Sequence, residues 1–232
     1  MSQRHPGSRR VHQERSNEPD DVFIARVLYL GKWAEAHQQA LIVLGVVLAI
    51  VVYGLYAYGN SRERMQVQAG QQLEAVHQSI SISDTEGAKD DLVVFLQNFS
   101  GTAYEAEARL LLGQLYLESG DSQQALAVLD ALGSRPNEPI EFQAAALLGA
   151  AYEQEERWSE AEEVYLAIAD RSDLDFQVRN ALTAAARNRG GQGDASGAIE
   201  LYERVLADLE VNAVDRGVYL MRIEELRSAS TT

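Results

Sequence analysis

The 232-residue sequence contains no cysteine, only four prolines and only four histidines. Without cysteine the chain forms no disulfide bond, carries no lipoprotein-type anchor and offers no thiolate to zinc. The histidines are scattered at His5, His12, His37 and His77, and none has a second ligand at metal-site spacing. The sequence also lacks a nucleophile elbow and a phosphate-binding loop. These absences predict a protein that is not an enzyme and that needs no metal or other cofactor.

Positive charge is scarce as well, with 20 Lys and Arg against 35 Asp and Glu. The imbalance lies after residue 59, where 14 basic residues face 30 acidic ones, a net charge of −16. An acidic surface repels phosphate backbones, which disfavours nucleic acid as a ligand. We therefore expect a basic or neutral protein partner. The acidic clusters, at Glu153, Glu155, Glu156 and at Glu160, Glu162, Glu163, are typical of a solvated helix surface rather than of a cation or acid–base site.

One long hydrophobic run stands out, from Ala40 to Gly59, without a charged residue. At ~1.5 Å per residue, a twenty-residue helix spans about 30 Å, the thickness of a hydrocarbon core. Its eleven Leu, Ile and Val residues favour insertion by about −3 to −7 kcal/mol as an upper bound. A cleaved signal peptide would have a shorter apolar core, and a buried core helix would need apolar surroundings that the rest of the chain lacks. The run predicts one transmembrane helix over residues 40–59, in contact with membrane lipid.

The segment before this run divides in two. Residues 1–20 are polar and predicted to be a disordered cytoplasmic tail. Residues 21–39 show helical spacing and predict a juxtamembrane helix, or equally an extension of the spanning helix. Basic residues near the run are balanced at two on each side, and the tail adds Arg4, Arg9, Arg10 and Arg15. The positive-inside rule then predicts a cytoplasmic amino terminus and a large domain across the membrane.

Residues 60–232 are rich in Ala, Leu, Gln and Glu and contain only two prolines, which predicts an all-α domain. A repeat of 36 to 37 residues runs through it. Gly113, Tyr116, Ala125 and Leu129 recur as Gly149, Tyr152, Ala161 and Tyr165, with weaker copies at Val76, Ser79, Ala88, Leu92 and at Ala186, Arg189, Ala198, Tyr202. The period is that of helical hairpins, each of which buries its apolar face by stacking on the next.

The turns and the end of this array are also visible in the sequence. Gly120-Asp121 and Gly193-Asp194 suit the turn within a hairpin, as does Glu156-Arg157-Trp158 with less typical residues. Residues 211–227 predict a terminal capping helix. The residues predicted to cover the last hairpin are Val214, Val218, Leu220, Met221 and Leu226.

Leu112-Gly113 with Tyr116 and Ala125, and Leu148-Gly149 with Tyr152, Ala161 and Tyr165, resemble the tetratricopeptide repeat. The resemblance covers about residues 62–210 and implies a helical-hairpin solenoid, with Arg189 departing from the usual Tyr. It also implies a concave, protein-binding surface lined by the first helix of each hairpin. The lining residues would be Glu107, Leu110, Gln114 and Leu117, then Gln143, Ala146, Ala150 and Glu153, then Asn180, Thr183 and Arg187. Arg187 is the one cation in this set, so recognition of acidic chaperone tails is not expected.

The arrangement of a short tail, one span and an acidic tetratricopeptide-like domain resembles the YfgM-like family of ancillary Sec translocon subunits. The segment NFSGTAY at residues 98–104 belongs to the same resemblance. It implies a single-pass protein of the bacterial inner membrane with a periplasmic domain, acting as a non-catalytic adaptor. The implied partners are the Sec translocon and a membrane-anchored periplasmic chaperone. The alternative is a scaffold for another envelope complex, such as one for cytochrome maturation, division or membrane protein assembly.

Overall fold

The computed structural model describes residues 19–210 and 213–229, and within them it contains ten helices and no strand. The helices are α1 Pro19–Ala36, α2 Gln38–Ser81, α3 Thr85–Asn98, α4 Glu105–Glu118, α5 Ser122–Gly133, α6 Pro139–Gln154, α7 Trp158–Arg171, α8 Asp175–Gly191, α9 Ala195–Ala207 and α10 Arg216–Ala229. The chain separates into two compact units, residues 1–61 and 62–232, and the division falls within α2.

The amino-terminal unit contains α1 and the first part of α2. Residues 1–18 of the tail predicted to be disordered lie outside the described residues. Pro19 and Asp20, assigned to that tail by the sequence analysis, instead begin α1, because proline suits the first turn of a helix. A turn at His37 separates α1 from α2, and the His37 ring stacks on Trp33 with centroids 4.8 Å apart. None of the side chains of residues 26–61 is buried.

The carboxy-terminal unit consists of four helical hairpins and a final helix. Hairpin 1 pairs the end of α2 with α3, hairpin 2 pairs α4 with α5, hairpin 3 pairs α6 with α7, and hairpin 4 pairs α8 with α9. The alanines that repeat in the sequence lie on the second helix of each hairpin, and all four are fully buried: Ala88, Ala125, Ala161 and Ala198. The predicted all-α array of hairpins is confirmed, including the two weaker copies.

The repeated small residues allow the two helices of a hairpin to approach. A Cβ placed on Gly113 would lie 2.5 Å from Leu129, and one placed on Gly149 would lie 2.6 Å from Tyr165. In hairpin 4 the pair is Ala186 and Tyr202, both buried. The large residue of the second helix therefore occupies the space that the small residue of the first helix leaves open.

All four hairpins turn in the same way, with one residue in the left-handed region. These residues are Ser83, Gly120, Glu156 and Gly193, with φ between 55° and 84°. In hairpin 2, Asp121 N–H donates to the Tyr116 carbonyl at 2.8 Å and Gly120 N–H donates to the Leu117 carbonyl at 3.1 Å, which is a Schellman motif. Glycine at two of these positions was the sequence signal for the turn.

Helix α10 packs on hairpin 4, but not through most of the residues predicted from the sequence. Ile223 is buried, Tyr219 and Leu226 pack against the same core, and Arg216 donates to the Leu206 and Leu209 carbonyls at the end of α9. The predicted covering residues Val214, Val218, Leu220 and Met221 are about half exposed or more. The helix carries apolar residues on two faces, and the face with Tyr219, Ile223 and Leu226 is the one that turns inward.

Candidate protein-binding surface

The candidate surface is formed by the first helices of hairpins 2, 3 and 4, and we call it the first-helix surface. Its residues are Glu107, Leu110, Gln114, Leu117, Gln143, Ala146, Ala150, Glu153, Asn180, Thr183 and Arg187, all exposed or half-buried. Side-chain contacts join neighbouring first helices along it. His77 Nε2 lies 3.1 Å from Glu107 Oε1, and Arg187 donates to Glu153 Oε1 at 3.2 Å. The helices therefore present these residues side by side.

Glu153 is the centre of one polar cluster on this surface. Its Oε1 accepts from Arg187 and, at 2.6 Å, from Asn188 Nδ2. The carboxylate fixes the orientation of the Asn188 amide, because a flipped amide would place two acceptors against each other. Asn188 is only 1% exposed, and its Oδ1 has no hydrogen-bond partner among the described residues. Asn188 was not among the residues predicted from the sequence, and it occupies the place of Leu115 and Ala151 in the repeat.

Tyr165 lies behind this cluster on the second helix of hairpin 3. Burial, and next the negative charge of Glu153, raise the pKa of Tyr165 well above its usual range, while Arg187 opposes the shift. The phenol is therefore neutral at any physiological pH, and its buried ring serves as a packing group in the core.

A pocket of about 200 Å³ opens where α6, α7 and α8 meet. Its lining contains apolar side chains and three carboxamides: Phe142, Gln143, Ala146, Tyr165, Ile168, Gln177, Asn180 and Ala181. Gln143, Ala146 and Asn180 belong to the surface expected from the sequence. Phe142 and Gln177 were not among the predicted residues, and the repeat offsets carry no signal for a pocket.

The acidic residues predicted to be solvated do not all face water. Glu162 is 5% exposed, and both Arg189 Nε and Nη2 donate to its Oε1 while Gln192 donates to its Oε2 at 2.7 Å. The prediction of a solvated surface is therefore wrong for Glu162. Its partner Arg189 stands where hairpins 2 and 3 have Tyr116 and Tyr152, so the departure from the repeat pattern is explained by an ion pair between hairpins 3 and 4.

The cation chemistry of the described residues is limited. Within residues 19–210 and 213–229, no group of three or more His, Cys, Asp or Glu side chains is arranged to hold a metal ion. The carboxylates on the first-helix surface are instead engaged by His77, Arg187 and Asn188.

Comparison with known proteins agrees with this architecture. Residues 32–228 match the family described as "Tetratricopeptide repeat-like domain". The fold is thus an all-helical tetratricopeptide-like solenoid, a class that typically serves as a non-catalytic scaffold for protein interactions. This chain belongs to the tetratricopeptide repeat-like domain family. No curated protein matches the sequence.

Solved structures with similar folds include two of different origin. One is a putative kinesin light chain with nearly identical TPR-like repeats from Podosopora anserina, with 18% identity, a TM-score of 0.55, and coverage of 71% of this chain and 87% of that one. Another is MamA, residues 41 to the end, from Desulfovibrio magneticus RS-1, with 20% identity, a TM-score of 0.53, and coverage of 70% and 89%. These likenesses concern the fold alone.

Proposed function

We propose that this chain is a single-pass protein of the bacterial inner membrane whose tetratricopeptide-like domain works as a non-catalytic adaptor in the periplasm. The observation that carries the proposal is an apolar helix that nothing covers. Among the described residues, α2 is the one helix long and apolar enough to cross a membrane, with a mean hydropathy of 2.6 over its most apolar window. None of that window is buried within the protein.

Exposure separates a membrane span from the core helix of a water-soluble protein. A core helix of that hydropathy would be covered by other helices, whereas the large apolar side chains from Leu41 to Tyr58 are 37–73% exposed. Hydrocarbon around residues 40–59 would remove these side chains from water. Tyr53, Tyr56 and Tyr58 lie near one end of the segment, where aromatic rings favour the interface between lipid and water.

The proposed orientation rests on the basic residues before the span. Six Arg and Lys precede residue 40, which favours a cytoplasmic amino terminus under the positive-inside rule. The domain of net charge −16 then lies in the periplasm, where its charge keeps it away from anionic lipid headgroups. A protein anchored in this way holds its partners close to the membrane and raises their local concentration there.

We place the adaptor beside the Sec translocon, with a membrane-anchored periplasmic chaperone as a second partner. The support is the resemblance of the tail, span and repeat domain to the YfgM-like family, together with membership of the tetratricopeptide repeat-like domain family. In this role the first-helix surface binds a segment of a partner or of an emerging secreted protein, and the span keeps that surface at the site of exit.

A photo-crosslinking experiment in intact cells tests the proposal. A photoreactive amino acid at Gln143, on the first-helix surface, should attach translocon or chaperone subunits, which mass spectrometry then identifies. The same probe at Glu200, exposed on α9, is the matched control and should not attach them. If other envelope proteins are attached reproducibly and Sec components are not, the protein is a scaffold for a different complex.

Topology is tested separately in cells whose outer membrane has been opened. Added protease should digest residues 62–232 and leave the amino-terminal tail intact. Extraction with carbonate should leave the whole chain in the membrane fraction. Protection of the domain, or release of the chain into the soluble fraction, would contradict the anchoring and the orientation.

A further inference from the structure

The pocket at the junction of α6, α7 and α8 differs from the rest of the first-helix surface in how its polar groups are used. Elsewhere the polar residues already have partners within the chain: Glu107 with His77, Gln114 with Glu118, Thr183 with the Arg179 carbonyl, and Glu153 with Arg187 and Asn188. By contrast, the side chains of Gln143 and Asn180 make no hydrogen bond with any other residue in the described ranges, 19–210 and 213–229. Both of them line the pocket.

Gln177 adds a third carboxamide with a free donor end. Its Oε1 accepts from the Ser172 hydroxyl at 2.6 Å, and Ser172 Oγ itself accepts from Leu174 N–H at 3.1 Å. In this arrangement the Gln177 Nε2 has no acceptor among the described residues and remains available to donate. Carboxamides carry the same donor and acceptor groups as a peptide backbone, and they pair with an extended chain whatever its sequence.

The pocket exists because a small residue replaces a large one in the repeat. Ala146 stands where hairpin 2 has Leu110, which packs against the apolar cluster between hairpins 2 and 3. Ala146 leaves that volume open, and Phe142, Tyr165 and Ile168 form the apolar walls around it. Phe176, one turn before Asn180 on α8, adds an aromatic side chain that is 54% exposed.

The size of the pocket selects its occupant. Small-molecule and cofactor sites start at roughly 300 Å³, above the volume of about 200 Å³ found here. A cavity of roughly 150 Å³ accommodates a benzene-sized group. One Leu, Ile or Met side chain therefore fits, and a nucleotide or flavin does not. With 14 basic against 30 acidic residues in positions 60–232, the domain favours a neutral or basic ligand over an acidic one.

We propose that this pocket is an anchor for a single aliphatic side chain of an extended, basic or neutral polypeptide segment, whose backbone pairs with the carboxamides of Gln143, Gln177 and Asn180. The inference rests on the adaptor role proposed for the first-helix surface and names its ligand class. The apolar side chain supplies affinity, the carboxamides hold the backbone without reading its sequence, and the charge of the domain rejects acidic segments.

The test uses the full-length protein in detergent micelles and fluorescent synthetic peptides, with fluorescence anisotropy as the readout. The probe peptide has one central leucine flanked by serines and lysines. Its affinity should fall about fivefold or more when the leucine is replaced by alanine, since the pocket then stays partly empty. It should fall further when glutamates replace the lysines.

Ala146→Leu is the decisive variant because it fills the pocket from within the protein. It should weaken binding of the leucine peptide about tenfold or more, with an unchanged circular dichroism spectrum and melting temperature as the folding control. Ala127→Leu adds the same volume at an exposed position on α5 and should bind like the wild type. Asn180→Ala should weaken the leucine and alanine peptides by the same factor, because it removes a backbone contact and not an anchor contact.

The outcomes separate this inference from the proposed translocon role. Equal binding by Ala146→Leu and the wild type, no binding by the wild type, or tighter binding of the glutamate peptide would each overturn the anchor pocket. Crosslinking of Sec components from Gln143 could still succeed in that case. Conversely, peptide binding that is lost in Ala146→Leu would support the pocket even if crosslinking recovered no Sec component.

Discussion

The junction between hairpins 2 and 3 and the junction between hairpins 3 and 4 occupy equivalent places in the repeat, yet they are held by different chemistry. At the first of these, Leu126 and Tyr152 pack against one apolar cluster. At the second, the equivalent residues are Glu162 and Arg189, which form a largely buried ion pair. Equivalent positions at two successive junctions are thus occupied by an apolar pair in one case and by an ion pair in the other.

At the junction between hairpins 1 and 2, the same position is occupied by a lysine beside an aromatic ring. Lys89 is 7% exposed, pairs with Glu86 at 2.7 Å and lies with its Nζ 5.8 Å from the centre of the Tyr116 ring. The residue on the second helix differs at each of the three junctions, whereas its partner on the next first helix is a tyrosine at two of them and Arg189 at the third. Only the junction between hairpins 3 and 4 would therefore leave a buried charge without a counter-charge if its partner were exchanged.

Of the variants considered, removal of Arg189 should change the free energy of unfolding most. Arg189→Ala leaves the Glu162 carboxylate buried without its main partner, and we expect the free energy of unfolding to fall by about 2–3 kcal/mol, less than for a fully buried pair because Arg189 is one-third exposed. Urea unfolding of residues 62–232, followed by circular dichroism, measures the loss. Arg204→Ala, on the exposed side of α9, is the control and should change stability by less than about 0.5 kcal/mol.

Conversion of the ionic junction into the apolar one should raise the free energy of unfolding, whereas removal of Arg189 lowers it. The double variant Glu162→Leu with Arg189→Tyr reproduces the residues of the junction between hairpins 2 and 3, and we expect it to be about 1–2 kcal/mol more stable than the wild type. The reason is that an apolar pair needs no desolvation of charge. Each single variant should be destabilised, so the double-mutant cycle should show strong coupling. Additive single effects would contradict a direct interaction between the two sites.

The turns within the hairpins provide a comparison with a smaller expected effect. Gly120 and Glu156 adopt the same left-handed conformation, with φ of 81° and 55°, but only glycine adopts it without steric cost. We expect Glu156→Gly to raise the free energy of unfolding by about 0.5–1 kcal/mol and Gly120→Ala to lower it by about 1 kcal/mol. The same urea titration measures both. The two changes need not be equal in size. If Glu156→Gly lowered the free energy of unfolding, the Glu156 side chain would itself stabilise the fold.

The sequence predicted the hairpins well because their packing depends on residues that recur. Small residues such as Gly113 and Ala125 and large ones such as Tyr165 are selected by close contact between helices, and that selection leaves a period of 36 to 37 residues. The turn at Glu156 was predicted from its place in this period, although its residues are untypical. The fold could therefore be predicted from residues within each repeat, without knowledge of contacts between distant parts of the chain.

Less of the candidate site could be predicted from the sequence, because its features depend on positions where one repeat differs from the others. Arg189 was visible as an anomaly, but only the structure identifies Glu162 as its partner, since the partner is on another hairpin. Ala146 was assigned to the surface, whereas the pocket beside it arises from the difference between Ala146 and Leu110. On the inward face of α10 the sequence predicted Leu226 but not Tyr219 or Ile223, because Val218 and Met221 are as apolar as Ile223 and packing alone chooses between the two faces.

The smallest expected effect concerns pH, and it is confined to the turn at the start of α9. The N–H of Gly197, then the hydroxyl of Ser196, then Arg189 hold the pKa of Asp194 below its usual value of 3.8. A carboxylate with a depressed pKa in the folded state stabilises that state above the pKa of the unfolded chain, and the contribution is lost as the pH falls through the folded value. The wild type should therefore lose more stability than Asp194→Asn on acidification below about pH 4.

Asparagine still accepts from the Gly197 N–H but cannot be protonated, so the two urea midpoints should converge as the solution becomes acidic. Parallel midpoints across that range would show that Asp194 acts through its hydrogen bonds alone, and that the charge of Arg189 serves only Glu162.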